Sequence, residues 1–434
     1  MPKVANIGFG DDLKRRRAKR FKLTPLAFLP LPMTATALPP ADRHDLETIS
    51  LIGFVHGVSH FFHLLLPPLF PWLMEEFGLG FTAIGMTMTV FFVVSGIGQA
   101  VAGFLVDRFG AARILGAGIS CFALAGLLLH FTNGYALLIA VAALAGLGNS
   151  VFHPADFTVL NRQVSTARLG HAFSIHGLSG NLGWALAPVF MTGIASLAGW
   201  RNAALAAAGL AVLALALLYW RRQALADPLP ATKDKQQPAT GSIFGFLSSS
   251  AVWLCFLFFL LITAAFGAIQ NFASPILQAL YGLSITVAAS ALSSYLLGGA
   301  VGILLGGFLA RRGGHDRLIG IALGVAAGLA VLLAAGVLPG WAILPLMTGI
   351  GFCTGVAGPS RDLLVRRAAT ARFGQAAFGR VYGFVYSGLD LGLAMAPVIF
   401  GGLMDGGRFG QVLIGIAVLQ TLAIFTALRV GKTI

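Results

Sequence analysis

The chain has 434 residues, 57% of them hydrophobic and only 10% charged, with a net charge of +14. A soluble domain carries about 25% charged residues, and a mean hydropathy of +0.86 over this length does not fit a water-exposed surface. The composition therefore points to an all-α, polytopic membrane protein. Its apolar runs are too long for the alternating strands of an outer-membrane barrel, and its Lys and Arg lie in short clusters between those runs, which argues against a nucleic-acid partner.

Residues 1–49 open the chain. The stretch "DLKRRRAKRFKL" is basic, and Pro25, Pro30 and Pro32 interrupt the apolar segment behind it. That makes a poor targeting peptide, so a disordered cytoplasmic arm is expected. A membrane helix needs about 20 apolar residues, and about twelve such runs follow. They cover 50–76, 81–106, 112–131, 134–162, 169–196 and 201–220, then 250–279, 285–310, 317–336, 340–367, 378–404 and 409–429. Residues 222–249 are polar and rich in Pro, Ser and Thr, which reads as a cytoplasmic linker. It separates an N-terminal bundle (50–221) from a C-terminal bundle (250–430). Arg and Lys crowd the loops of one side. The other side holds only Arg201 and Arg408, with the acids Glu75, Glu76 and Asp405, of which Glu75 and Glu76 read as solvated charges. This bias puts both termini in the cytoplasm of a bacterial-type inner membrane. Cys121, Cys255 and Cys353 are widely spaced within apolar runs and read as packing residues. Neither a metal site nor a cofactor is expected.

Polar residues inside the spans carry the functional expectation, because ionisable groups in a membrane are costly and face a cavity or a partner. Span 1 has His56, His60 and His63, spaced four then three, which aligns three imidazoles on one stripe. Span 4 has His153 and Asp156 on one face, with Pro154 between them to kink or loosen the helix. Span 5 adds His176 and Asn181, span 7 adds Gln270 and Asn271, span 10 adds Arg361 and Asp362, and span 11 adds Tyr386 and Asp390. Histidine titrates near neutral pH, so Asp156, His60, His63 and Asp390 are expected to carry coupling protons. Arg361 keeps its charge and suits a carboxylate or phosphonate. With it, His56, His153, His176, Asn181, Gln270, Asn271 and Tyr386 are expected to contact a small-molecule substrate.

The chain also repeats itself. "GFLVDRFGAAR" (103–113) matches "GFLARRGGHDR" (307–317), Pro154 matches Pro359, and "GWALAPV" (183–189) matches "GLAMAPV" (392–398), in the same order. Same-orientation halves of six spans are parallel repeats that enclose a cavity and rock about it. With this topology, "GFLVDRFGAAR" resembles the loop signature of the major facilitator superfamily between spans 2 and 3. The resemblance implies two pseudo-symmetric six-helix bundles and a monomeric transporter. It also implies a conformational gate at Gly103, Asp107, Arg108, Gly110 and Arg113, with Asp107 latching onto the start of span 11. Asp362 is expected to serve the same gate. "SHFFHLLLPPLF" (59–70) and "GNSVFHPADF" (148–157) are similar to the fosmidomycin-resistance-type efflux subgroup. They depart from it where His63 and Leu64 replace an Asn-Asp pair and where the acid falls at Asp156. The expected function is a proton-coupled exporter working by alternating access. Proton-coupled uptake of a small organic anion is the alternative, and a non-transporting receptor ranks lower. No nucleophile set accompanies "HPAD" and no Walker A motif occurs, so neither an enzyme nor ATP drive is expected.

Overall fold

The computed structural model describes residues 40–165, 168–225, 245–310, 314–373 and 378–433. Among these, twelve helical segments are long and apolar enough to cross a membrane. Span 1 consists of α1 (Pro40–His63), a 3-10 turn at Pro67–Leu69 and α2 (Phe70–Phe77). Then come α3 (Phe81–Phe109), α4 (Ala111–His130), α5 (Tyr135–Asn149), α6 (Phe152–Gln163), α7 (Leu169–Ala198) and α8 (Trp200–Trp220). The second half has α9 (Ser250–Tyr281), α10 (Ile285–Ala310), α11 (His315–Ala334), α12 (Ile343–Phe373), α13 (Phe378–Asp405) and α14 (Phe409–Thr433). The most enclosed spans are the first, which contains α1, and α9. The halves meet chiefly where α3 packs on α13 and α7 on α10.

Two expectations need correction at this level. The arm was drawn to residue 49, yet α1 begins at Pro40. Proline is well suited to a first helical position, and the following turns are tied to the bundle. Asp45 accepts hydrogen bonds from the Ser165 amide (3.1 Å) and hydroxyl (2.5 Å), and Arg221 donates to Glu47 at 2.7 Å. Glu76 is not simply a solvated acid. Arg201 grips it with two bonds of 2.9 and 2.6 Å, and the Trp200 indole donates a third of 2.7 Å, clamping span 1 to span 6.

The duplication is written into the backbone. Among the described residues seven glycines have positive φ, and six fall into repeat-related pairs: Gly78 with Gly282, Gly110 with Gly314, and Gly199 with Gly407. Each pair turns the chain at the same station of its half, where a side chain would be strained. Span 4 breaks at Ser150–Val151, whereas α12 runs unbroken through Pro359. Pro154 has no N–H for the Ser150 carbonyl and its ring crowds that oxygen, which loosens the chain at this break, although Pro359 shows that a proline alone does not divide the helix.

At the end of the molecule that carries Glu76 and Arg201, the halves share one further device. The N-terminus of α3 has no side-chain cap of its own, because Gly80 occupies that position. Asp405, the last residue of α13, supplies the cap from the other half. Its carboxylate accepts from the Phe81 amide, from the Thr82 amide (3.0 Å) and from the Thr82 hydroxyl.

Candidate functional site

The break before Pro154 lets α6 turn His153 and Asp156 toward α1 and α7. Asp156 is wholly buried. Its Oδ2 accepts from His176 Nε2 of α7 at 3.1 Å and lies 3.0 Å from His56 Nδ1 of α1. The His56 contact has ion-pair distance without hydrogen-bond alignment, and Oδ1 has no hydrogen-bond partner. The imidazoles are stacked around this carboxylate. His56 and His176 rings are 3.5 Å apart, His56 and His60 4.3 Å, and His60 and His63 4.8 Å. His153 stands at the exposed edge, 5.4 Å from His56. The sequence stripe on α1, the pair on α6 and His176 thus converge on one point.

Two chemically ordinary residues, Asn149 and Gly180, shape this cluster, and Asn149 carries no signal in the sequence. Asn149, the last residue of α5, is a buried hub. Its Oδ1 accepts from Ser59 Oγ at 2.8 Å and lies 2.8 Å from His63 Nε2, while its Nδ2 donates to Ser95 Oγ at 2.8 Å. Because that oxygen can only accept, the bond assigns the His63 proton to Nε2. Gly180 of α7 leaves a slot for the rings: a Cβ there would lie 2.7 Å from His60 and 3.0 Å from His56 Nε2. Neither ring nitrogen of His60 has a hydrogen-bond partner among the described residues.

Trp184, also unforeseen, carries the cluster across the seam. Its ring lies 4.2 Å from His60 and 5.7 Å from His63 on one side, and 5.2 Å from Phe266 of α9 on the other. One turn beyond Phe266, Gln270 and Asn271 are buried, with Gln270 Nε2 and Asn271 Oδ1 unpartnered. Asn181 donates to its own helix at Gly177, 2.9 Å away.

Other expected site residues lie elsewhere. Asp390 of α13 faces α3, where Gln99 donates to it at 3.2 Å. Arg361 is inside the C-terminal bundle, its guanidinium 4.6 Å above the Phe259 ring of α9, beside a small apolar recess lined by Cys255, Ile319 and Ala427. Tyr386 packs on the same Phe259 at 4.9 Å. The repeat explains this placement. Asp156 follows Pro154 by two residues and Arg361 follows Pro359 by two. Each therefore faces the innermost helix of its own half. Arg361→Ala is expected to lower the thermal unfolding midpoint, with about 0.5–2 kcal/mol of cation–π attraction lost. Anionic and neutral ligands should then weaken equally; selective loss of anions in a binding titration would instead put Arg361 on the substrate path. The Gly103–Arg113 segment is the end of α3 and the start of α4, turned at Gly110, and the side chains of Asp107 and Asp362 lie outside the described residues.

The sequence pattern of the Major Facilitator Superfamily matches residues 49–397. The chain is 29% identical over 387 residues to the MFS-type transporter YfnC of Bacillus subtilis, covering 87% of this chain and 91% of that one. It is also 29% identical over 381 residues to the fosmidomycin resistance protein of Escherichia coli, covering 84% and 89%. In fold it is similar to a bacterial homologue of the human lysosomal transporter Spinster, crystallised in an inward-facing and occupied conformation. The TM-score is 0.74 at 12% identity, over 92% of this chain and 98% of that one.

Proposed function

This chain belongs to the major facilitator superfamily, and on that premise we propose that it is a secondary transporter that exports a small molecule across a bacterial cytoplasmic membrane in exchange for protons. The observation that carries this reading is the fully buried Asp156 ringed by imidazoles. With every imidazole neutral the cluster holds one negative charge. One added proton makes it neutral, whichever atom holds it. A net charge is far costlier than a neutral group in an apolar interior, so proton load changes the free energy of occluding the site. His60 and His63 stand beside that carboxylate cluster as further proton acceptors, and Trp184 connects them to the other half. Asp390, bonded across the α3–α13 seam to Gln99, is a second proton carrier whose environment changes when the seam opens.

Substrate contacts are assigned to His153 at the exposed edge and to Gln270 and Asn271. An unmet buried polar group costs about 1–3 kcal/mol, which a polar substrate or water recovers at Gln270 Nε2 and Asn271 Oδ1. The Gly103–Arg113 loop, with Asp107 and Asp362, serves as a gate at the opposite end from Asp405. Similarity to a fosmidomycin resistance protein favours export. In this reading the transporter works as a monomer with both termini cytoplasmic.

The test has two stages. Thermal-shift screening of the purified protein against acids, phosphonates, sugars and lipophilic cations at two pH values identifies a ligand. Flux of that ligand is then measured in proteoliposomes. An imposed pH gradient should drive transport, and a protonophore should collapse it. Flux indifferent to the gradient would remove proton coupling, and binding without any flux would leave a receptor.

A further inference from the structure

The corner of the N-terminal half that holds Asp156 also has the donor set of a transition-metal site. We propose that His56, His153, His176 and Asp156 bind a divalent transition-metal ion of the zinc type. Ligand nitrogens of the three histidines all lie within 4.8 Å of one another. A tetrahedral zinc ion with Zn–N bonds of about 2.0–2.1 Å needs its donors about 3.4 Å apart. Rotation of imidazoles makes up that difference without moving the backbone, and His153, exposed on one side, has room to rotate. Asp156 adds an anionic oxygen beside the three: its Oδ2 is 3.0 Å from His56 Nδ1 and 3.1 Å from His176 Nε2, and sharing one ion with His153 requires that ring to close toward it. Three imidazoles and one carboxylate suit zinc or cobalt(II). Magnesium and calcium demand oxygen cages that this site lacks.

Independent features point to a missing ligand. Asp156 Oδ1 is buried without a hydrogen-bond partner, and so are both ring nitrogens of His60, which stands beside His56. Such orphaned groups are rare in native interiors. His153 and Phe157 are both exposed beside the cluster. All four donors belong to α1, α6 and α7. A bound ion therefore braces one half internally and leaves the α3–α13 and α7–α10 seams free.

The test uses untagged full-length protein in detergent, stripped with a chelator. Zinc is titrated by calorimetry, and cobalt(II) is followed by its visible absorption. One ion per chain is expected, with the intense bands of tetrahedral cobalt. His153→Ala and His176→Ala should each weaken binding by at least about 10-fold, the least that disturbing a metal's ligand environment costs. His171→Ala, on the same helix outside the cluster, should change nothing. Non-saturating zinc binding, a pale octahedral cobalt spectrum, or full affinity in the His153→Ala/His176→Ala double variant would each overturn the proposal. If a variant fails to fold, the wild-type cobalt spectrum decides alone. Because the readout is binding, failure of the transport reading leaves this result standing; an ion and a coupling proton compete for the same Asp156 carboxylate, so the titration is made at a pH where the site is unprotonated.

Discussion

Replacing Asp156 with Asn is expected to abolish pH-driven flux while leaving the protein folded. Asparagine has the same shape and keeps a carbonyl oxygen that accepts from His176 Nε2, the 3.1 Å bond that ties α6 to α7. What it removes is the negative charge against which the His56 and His176 rings are set. The variant cluster is neutral when empty, so a proton would have to make it positive in an apolar setting. A positioned proton-transfer group contributes roughly 10²–10⁴-fold to the step it serves. Gradient-driven flux in proteoliposomes should therefore drop by at least about 100-fold, while exchange of labelled for unlabelled substrate at equal pH persists. Wild-type flux under a gradient would take Asp156 out of coupling. Equal loss of both activities with an unchanged melting temperature would make it a substrate ligand instead.

Asp405→Ala is expected to shift the conformational balance toward the state open at the Glu76–Arg201 end. Three donors of the α3 N-terminus are satisfied by this one carboxylate from the other half, and Gly80 offers no replacement. Truncating a helix cap costs about 0.5–2 kcal/mol. That cost falls only on the state in which the halves touch there, because in the other state water serves the freed donors. The equilibrium should move by about 2- to 30-fold, since 1.4 kcal/mol is a factor of ten. Spin labels at the exposed positions Glu75 and Arg408, in a background lacking Cys121, Cys255 and Cys353, report the separation by pulsed double-resonance distances. The long-distance population should rise in Asp405→Ala and rise less in Thr82→Val, which loses only the hydroxyl bond. Identical distributions in all three proteins would reject the latch.

Much of this architecture was legible before any coordinates. Long apolar runs can only be spans, and the matched "GFL" loops and prolines announced two halves. The histidine stripe on α1 was legible because helical spacing alone puts positions 56, 60 and 63 on one face. Its partners were not. A helix surrounded by lipid and by other helices is apolar on every side, so its sequence carries little record of which face looks inward. For the same reason the sequence around Arg361 gives no hint of the Phe259 ring that it faces within its own bundle. Asn149 and Trp184 gave no signal because single amides and indoles are common in such spans. The cap supplied by Asp405 gives no signal either, because nothing in a linear sequence marks a cap whose helix begins more than 300 positions earlier, at Phe81.

The paired positions of Asp156 and Arg361 have an electrical consequence. Parallel repeats are related by an axis along the membrane normal, so equivalent residues sit at equal depth. The duplication has placed an acid in one copy and a base in the other. Their mutual field runs sideways, in the plane of the bilayer, and the transmembrane voltage acts on both at the same level.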